Sequence, residues 1–417
     1  MCRAGWRNLG LVVLMLAAGP VAEAAPPRGK GSLLFAGGGL RFSNAEVWSR
    51  FVHLAGGKGA TVVVIPAAAS NPRASGRAVV ENLIRYGAKA ELVPIAPRLK
   101  DVDYRAAARD PALVRLLRKA TGIWFTGGDQ QRITRALLPD GRRTPALEAI
   151  WEAYRGGAVL GGSSAGTAIM SRVMFADAQN SLDTIKNGIT RGKHVAAGLG
   201  FIGDDWFVDQ HFLARGRFAR ALLAMREYGF EYGIGVDVDT AVVVKDGNFE
   251  VIGYNGALVL DLSGATYDRE LPAFNLKNAR LSYLDSGDRM DMKTRKVTVS
   301  RLKASEPMID PRAKDFVPEF TSAGHFYFSD ILSTNAIYRA MRNALAGKTG
   351  VVKGLAFAQP EGGAKNDLGF EFKVYRGPGT VGWYTARGGH EAYTVLEVRV
   401  DITPVKLPNP LYTPLKH

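Results

Sequence analysis

The sequence predicts an α/β protein: a mostly parallel sheet with helices on both faces, followed by a C-terminal α+β or β-rich module. Three observations carry this. Short apolar runs alternate with helical segments over residues 31–160, and repeated strand–helix alternation builds a parallel sheet wrapped by helices. Several runs are apolar throughout, as in residues 61–69 (TVVVIPAAA), which suits strands covered on both faces. The rhythm then changes after about residue 230 and again near residue 285, where glycine turns separate strand-like segments.

Residues 31–39 (GSLLFAGGG) read as a buried strand running into a glycine loop. Residues 44–54 are helical, residues 61–69 a second strand, and residues 75–86 a helix stopped by Gly87. Residues 90–95 form a third strand. Asp110-Pro111 opens a helix, with Asp as N-cap and Pro in the first turn. Residues 122–126 (GIWFT) and 158–160 supply two more strands. Residues 233–245 and 249–262 are expected as β-structure closing the first domain. Beyond it, residues 296–302 alternate like a strand, residues 334–346 suit a helix, and residues 351–357, 369–375, 381–384 and 393–401 are strand-like. The expected division is a leader at 1–24, a catalytic domain at 25–284 and a separate module at 285–417.

The chain has 417 residues, 47% hydrophobic and 22% charged, with a formal net charge of +15. An acidic solvating protein is excluded, and acidic substrates or surfaces are favoured. No block of five or six basic residues occurs, so no nucleic-acid partner is indicated. The single cysteine, Cys2, excludes a disulfide framework and a cysteine-ligated zinc site. At the N-terminus, Arg3 and Arg7 precede the apolar residues 9–18, then Gly19-Pro20 and the small-x-small site Ala22-Glu23-Ala24. This is the pattern of a signal peptide, and its apolar run is too short for a membrane anchor. Without a following cysteine or twin arginines, the Sec route is expected. The product would be secreted or periplasmic, with no stable membrane anchor.

The chemistry is expected at strand ends, where ligand sites of parallel sheets lie. Gly161-Gly-Ser-Ser-Ala-Gly166 follows a strand and precedes a short helical stretch, and Gly162-x-Ser164-x-Gly166 is the nucleophile-elbow pattern. Small neighbours allow Ser164 a strained turn, and the helix start with the Ala165 N–H favours an oxyanion. A turn that merely packs tightly is the plainer reading. A second turn, Gly127-Gly128-Asp129-Gln130, ends the neighbouring strand. Its N–H groups would complete an oxyanion hole and Gln130 would reach substrate, although strand-end glycines also serve close backbone approach. Of six histidines, His211 sits at another strand end, after the apolar residues 206–208. His53 lies on an early helix, and His194 is expected on a solvated loop beside Arg191 and Lys193. His325 and His390 fall in the C-terminal module, and His417 ends the chain. Arg215, Arg217 and Arg220 follow His211; guanidinium forks of this kind bind carboxylates bidentately, and a solvated basic helix face is the alternative. No P-loop, dinucleotide fingerprint or H-E-x-x-H spacing appears, so neither metal nor cofactor is expected.

Taken together, residues 125–130 (FTGGDQ), 161–166 (GGSSAG) and 209–217 (DQHFLARGR) resemble cyanophycinase, a serine peptidase family related to dipeptidase E with a sheet like that of class I glutamine amidotransferases. The resemblance covers roughly residues 31–262, and the leader and extra C-terminal region are similar to the extracellular branch. It implies Ser164 as nucleophile, His211 as general base, and oxyanion N–H groups from Gly128 and Ala165. Gln130, Asp209, Gln210, Arg215, Arg217 and Arg220 would line the substrate pocket. The implied substrate is cyanophycin, poly-aspartate bearing arginine on each side-chain carboxyl, cleaved to β-aspartyl-arginine dipeptide. A homodimer is also compatible with it.

One position departs from the family. Related enzymes usually have Glu, a proposed partner of the histidine, where this chain has Val238. A valine neither orients an imidazole nor stabilises imidazolium. Asp177, Asp183, Asp237 and Asp239 remain as candidate acids, although strand alternation turns Asp237 and Asp239 to the face opposite residue 238. Three readings follow: a cyanophycin-cleaving serine exopeptidase, a peptidase for another β-aspartyl or acidic peptide, or a non-catalytic binding protein on the same scaffold. In the C-terminal module, Trp383, Tyr384 and Tyr393 are read as strand packing rather than a granule-binding platform.

Overall fold

The computed structural model describes residues 31–177, 180–319, 326–358, 367–389 and 391–408, with 411, 413 and 415. The leader at 1–24, His325, His390 and His417 lie outside them.

Two large sheets organise the described residues. In the first, the strands Ser32–Ala36, Val159–Ser163, Gly122–Phe125, Thr61–Ile65 and Lys89–Leu92 run parallel in that order. From Ser32–Ala36 the sheet continues antiparallel through Thr240–Lys245, Asn248–Gly253, Arg289–Asp291 and Val297–Thr298. The predicted α/β class with a mostly parallel core is therefore observed. Helices start where side chains cap them. Asn44 accepts from the Val47 N–H ahead of helix Ala45–Leu54, and Asn71 from Ala74 ahead of Pro72–Arg85. Asp110 caps Pro111–Lys119, satisfying N–H groups that the helix leaves orphaned.

Apolar burial separates the faces. Trp48 and Phe51 of the first helix and Leu83 of the second cover Trp124 and Val62 on one face. On the other, Leu117, Ile133 and Ile150 pack over Phe35 and Ile65. The same cluster includes Val208, Ile234 and Val236, so the second sheet also presses one of its faces here.

That second sheet runs in the order Phe326–Phe328, Val351–Ala356, Leu368–Tyr375, Ala392–Lys406, Leu276–Leu284, Ala257–Asp261, Tyr232–Val236 and Trp206–Gln210, with Val381–Thr385 beside Ala392–Lys406. Its far face packs on helices Phe218–Tyr228 and Ala336–Ala346, through Phe218, Leu222, Ile337 and Met341. Strands from either side of residue 285 thus share hydrogen bonds: Leu276–Leu284 pairs with Ala392–Lys406, and Asn248–Gly253 with Arg289–Asp291. The expected strand over residues 296–302 is replaced by the two-residue strand Val297–Thr298 and a helical turn, Arg301–Ala304. The reason is polar: Ser300 caps that turn and its N–H donates to Asp288. Tyr393 is buried with its ring 4.5 Å from Tyr384, as expected for packing.

The junction is pinned by an enclosed ion pair. Lys303 is wholly buried, its Nζ 2.8 Å from Asp288 Oδ2. Asp288 also accepts from the Thr394 hydroxyl at 2.6 Å and the Ser300 N–H at 2.8 Å. Breaking one half of such a pair strands the other charge in a dry site. Lys303→Ala should lower unfolding free energy by about 3–5 kcal/mol, read as an earlier urea midpoint at unchanged slope.

Candidate functional site

The site lies where strand ends of the two sheets meet. Strand Val159–Ser163 leads directly into Ser164, which holds φ 54° and ψ −105° before the short helix Ala165–Ala168. This backbone is costly for a residue with a side chain and persists only when its surroundings fix it. Two glycines permit it. A β-carbon on Gly162 would come within 2.7 Å of Gly166, and one on Gly166 within 2.6 Å of the Phe125 carbonyl. The Ser164 N–H donates to the Ala36 carbonyl at 3.0 Å, and the Thr167 hydroxyl donates to the same oxygen. The turn is therefore tied to strand Ser32–Ala36.

His211 follows strand Trp206–Gln210 in the second sheet, and it too has positive φ, 46°. Its N–H donates to the Gly37 carbonyl at 2.7 Å, joining the glycine loop after Ser32–Ala36 to the histidine turn. Nε2 of its ring then stands 3.2 Å from Ser164 Oγ. The hydroxyl also lies 3.4 Å from Gln210 Oε1. Gly38 makes room for the imidazole: a β-carbon there would overlap Nε2. Gly37-Gly38-Gly39, which matched no dinucleotide fingerprint, is thus the seat of a histidine ring. Proximity to the ring is the functional signal missing from the sequence reading.

Burial disfavours a charged imidazole, and Arg215 and Arg217 add repulsion, so His211 is pushed down to about 4 despite the opposing charge of Asp209. The ring is therefore neutral at neutral pH and able to accept the Ser164 proton.

The remaining predicted residues separate into groups. The turn at Gly127 and Gly128 is adjacent to the serine, with a β-carbon on Gly127 falling 3.5 Å from Ser164 Cβ. Ala165 begins the helix beyond Ser164. Gln130 donates through Nε2 to the Phe175 carbonyl at 2.6 Å. Asp209 and Arg220 are both buried and form a bidentate pair, 2.8 Å at its shortest, with the Arg220 guanidinium 4.2 Å over the Phe175 ring. Phe175 thus organises two of the predicted residues, a contact no sequence motif announces. Arg217 donates to the Gln210 carbonyl at 2.8 Å and stands 3.6 Å from Asp209; burial pushes it down to about 10. Arg215 alone of the three arginines is exposed.

Among the described residues, no carboxylate bonds to the His211 ring. Asp239 pairs with Arg41 and accepts from Asn44 at 2.9 Å. Asp183 accepts from its helix-capping neighbour Asn180 at 2.7 Å, and Asp177 is exposed. Asp237 is buried and accepts from the Ala214 N–H at 3.0 Å; burial pushes its carboxyl up while backbone N–H bonds pull it back. Val238 packs towards Gly39 instead. His194 is buried rather than solvated, its Nδ1 accepting from the Thr190 N–H at 3.1 Å, because the turn after residue 190 folds back over it. His53 is exposed in the last turn of its helix. No metal-ligating cluster and no helix able to cross a membrane occurs among the described residues.

Residues 33–252, more than half of the chain, match Peptidase family S51. The chain belongs to that family and is a serine-type peptidase. It is 36% identical to a cyanophycinase of Geminocystis herdmanii over 274 residues, spanning 64% of this chain and 95% of that protein. It is 31% identical to a cyanophycinase of Nostoc sp. over 281 residues, spanning 65% and 89%. Among solved structures, a peptidase from an acI-B1 Actinobacterium covers 63% of this chain and 98% of its own, at 22% identity and a TM-score of 0.46. A putative peptidase E protein from Listeria monocytogenes covers 54% and 98%, at 18% identity and a TM-score of 0.37.

Three outcomes follow from this geometry. The acid limb of kcat/KM should fall with an apparent pKa of about 4, because activity is lost only as the imidazole gains its proton. Arg215→Ala should move that limb upward by removing a repelling charge, as a pH–rate profile would read. Gly38→Ala should displace the ring and lower kcat/KM about 100-fold, with circular dichroism unchanged.

Proposed function

We propose that the protein is an exported serine exopeptidase that hydrolyses cyanophycin to β-aspartyl-arginine dipeptides through an acyl-enzyme. The observation that carries this reading is the 3.2 Å approach of His211 Nε2 to Ser164 Oγ, in a chain similar to cyanophycinases over most of their length. The Ser164 turn acts as a nucleophile elbow. Its oxygen attacks the scissile carbonyl while His211 takes the proton and returns it to the leaving amine. The resulting ester is hydrolysed by water, with His211 acting first as base and then as acid. The N–H groups of Gly128 and Ala165 receive the oxyanion. The chemistry needs no metal or organic cofactor.

The arrangement of arginines suits such a substrate. Arg220 is satisfied by Asp209, and Arg217 is held against the Gln210 carbonyl. Arg215 keeps an exposed guanidinium beside His211. Each β-linked residue presents a carboxylate near the scissile bond, which a guanidinium fork recognises. The apolar run and small-x-small site of residues 1–24 support export by the Sec route to the periplasm or the medium.

Purified protein incubated with cyanophycin granules should release β-aspartyl-arginine dipeptide, identified by mass spectrometry. Ser164→Ala should lower turnover on the order of 10⁶-fold. Labelling of Ser164 by a fluorophosphonate without dipeptide release would redirect the assignment to another acidic or β-aspartyl peptide. Absence of both would favour a binding protein, for which Val238 is the motivating residue.

A further inference from the structure

We propose that Asp237 is the positioning residue for His211, and that it works by holding the backbone of the histidine turn rather than by touching the imidazole. The proposal rests on the reading of Ser164 and His211 as nucleophile and base. His211 occupies a left-handed backbone conformation at φ 46°, which is unfavourable for a residue bearing a side chain. Such a conformation persists only where its surroundings over-determine it.

Three hydrogen bonds do so. The His211 N–H donates to Gly37 at 2.7 Å and the Phe212 N–H to Val236 at 3.2 Å. The Ala214 N–H donates to Asp237 Oδ1 at 3.0 Å. The third uses a side chain; Arg217 and Thr334 also reach this turn, donating to the Gln210 and Ala214 carbonyls at 2.8 and 2.9 Å, and of the three Asp237 is the one that supplies an acceptor. Asp237 is 3% exposed and its bond to the half-buried Ala214 amide is shielded from much of the solvent, so removing the acceptor leaves that N–H poorly compensated.

The neighbouring residues extend the grip. The Asp239 N–H donates to the Gly38 carbonyl at 2.9 Å, and its carboxylate holds Arg41 and Asn44. Residues 237–239 therefore brace the histidine turn on one side and the glycine loop that seats the imidazole on the other. The intervening Val238 puts a hydrocarbon against Gly39 and carries no group that could accept from the ring. The groups that face His211 electrostatically are Arg215, Arg217 and Asp209. No hydrogen bond joins Asp237 to the imidazole; its Oδ1 accepts from the main chain at Ala214 instead.

A ring-directed acid and a backbone clamp respond differently to one isosteric change. Asn keeps a carbonyl oxygen that accepts from Ala214 but loses the negative charge that an imidazolium requires. The test measures the second-order rate of fluorophosphonate labelling from pH 3.5 to 9, with Ser164→Ala and His211→Ala as controls. Hydrogen exchange at the Ala214 amide is followed in parallel. Asp237→Asn should stay within about threefold of the parent with its acid limb unmoved. Asp237→Ala should label about 100-fold more slowly, with the same limb and faster exchange at Ala214. Val238→Glu should raise the limb by supplying a charge near the ring.

Equal loss in Asp237→Asn and Asp237→Ala, with a displaced limb, would make Asp237 a ring partner and overturn the proposal. Parent-like labelling and exchange in Asp237→Ala would overturn it too. If Asp237→Ala fails to fold, Asp237→Asn decides alone: retained rate and limb support the clamp, and their loss overturns it. If Ser164→Ala labels like the parent, the nucleophile reading falls. Exchange at Ala214 then still decides the clamp, unchanged in Asp237→Asn and accelerated in Asp237→Ala if it exists.

Discussion

The 2.7 Å hydrogen bond from the His211 N–H to the Gly37 carbonyl is the joint on which the site depends. Ser164 belongs to one sheet and His211 to the other. Neither sheet alone can bring the serine hydroxyl and the imidazole into contact. The bond sets the histidine turn against the loop that leaves Ser32–Ala36, the strand hydrogen-bonded beside the serine's own strand. The glycines in that loop follow from this closeness, since any side chain at residue 38 would occupy the space of the imidazole. The energetic cost of two residues at positive φ, Ser164 and His211, is met by burial and by backbone bonds to neighbouring strands.

Electrostatics around the pair favour the neutral base. Two guanidinium groups and a half-buried environment push the imidazole down to about 4. The buried Asp209, which would pull the other way, is held in bidentate bonds by Arg220. Its charge is thereby largely compensated before it reaches the histidine. The arrangement gives a base that is always available and an imidazolium that receives little help. In the acyl-enzyme mechanism proposed above, oxyanion donors and substrate carboxylate contacts would carry a larger share of transition-state stabilisation.

Much of this was legible in the sequence because the relevant signals are local. Continuous apolar runs mark strands buried on both faces, Asp110-Pro111 marks a helix start, and Gly162-x-Ser164-x-Gly166 marks a tight turn in which Gly162 is required by Gly166 itself. The family motifs led to Ser164, Gln210 and His211, which the structure brings together. What the sequence could not convey was pairing over long distances. The rhythm does change near residue 285, yet Leu276–Leu284 and Ala392–Lys406 are hydrogen-bonded neighbours. Nothing in the sequence singles out Lys303, and only the folded chain shows it enclosed with Asp288 and Thr394. His194 was misplaced for the same reason: its charged neighbours suggested solvent, while its own ring is folded inward.

The position of Ala392–Lys406 has a consequence for biogenesis. This strand lies inside the second sheet, between Leu368–Tyr375 and Leu276–Leu284, and so joins segments from either side of residue 285. Both sheets depend on pairings more than a hundred residues apart, Ser32 with Val159 in the first and Leu276 with Ile402 in the second, and such contacts are slow to close. Until then the sheet that carries His211 has an open interior edge. The approach of His211 to Ser164 is therefore a property of the whole fold: neither half of the chain can frame it before both long-range pairings have closed.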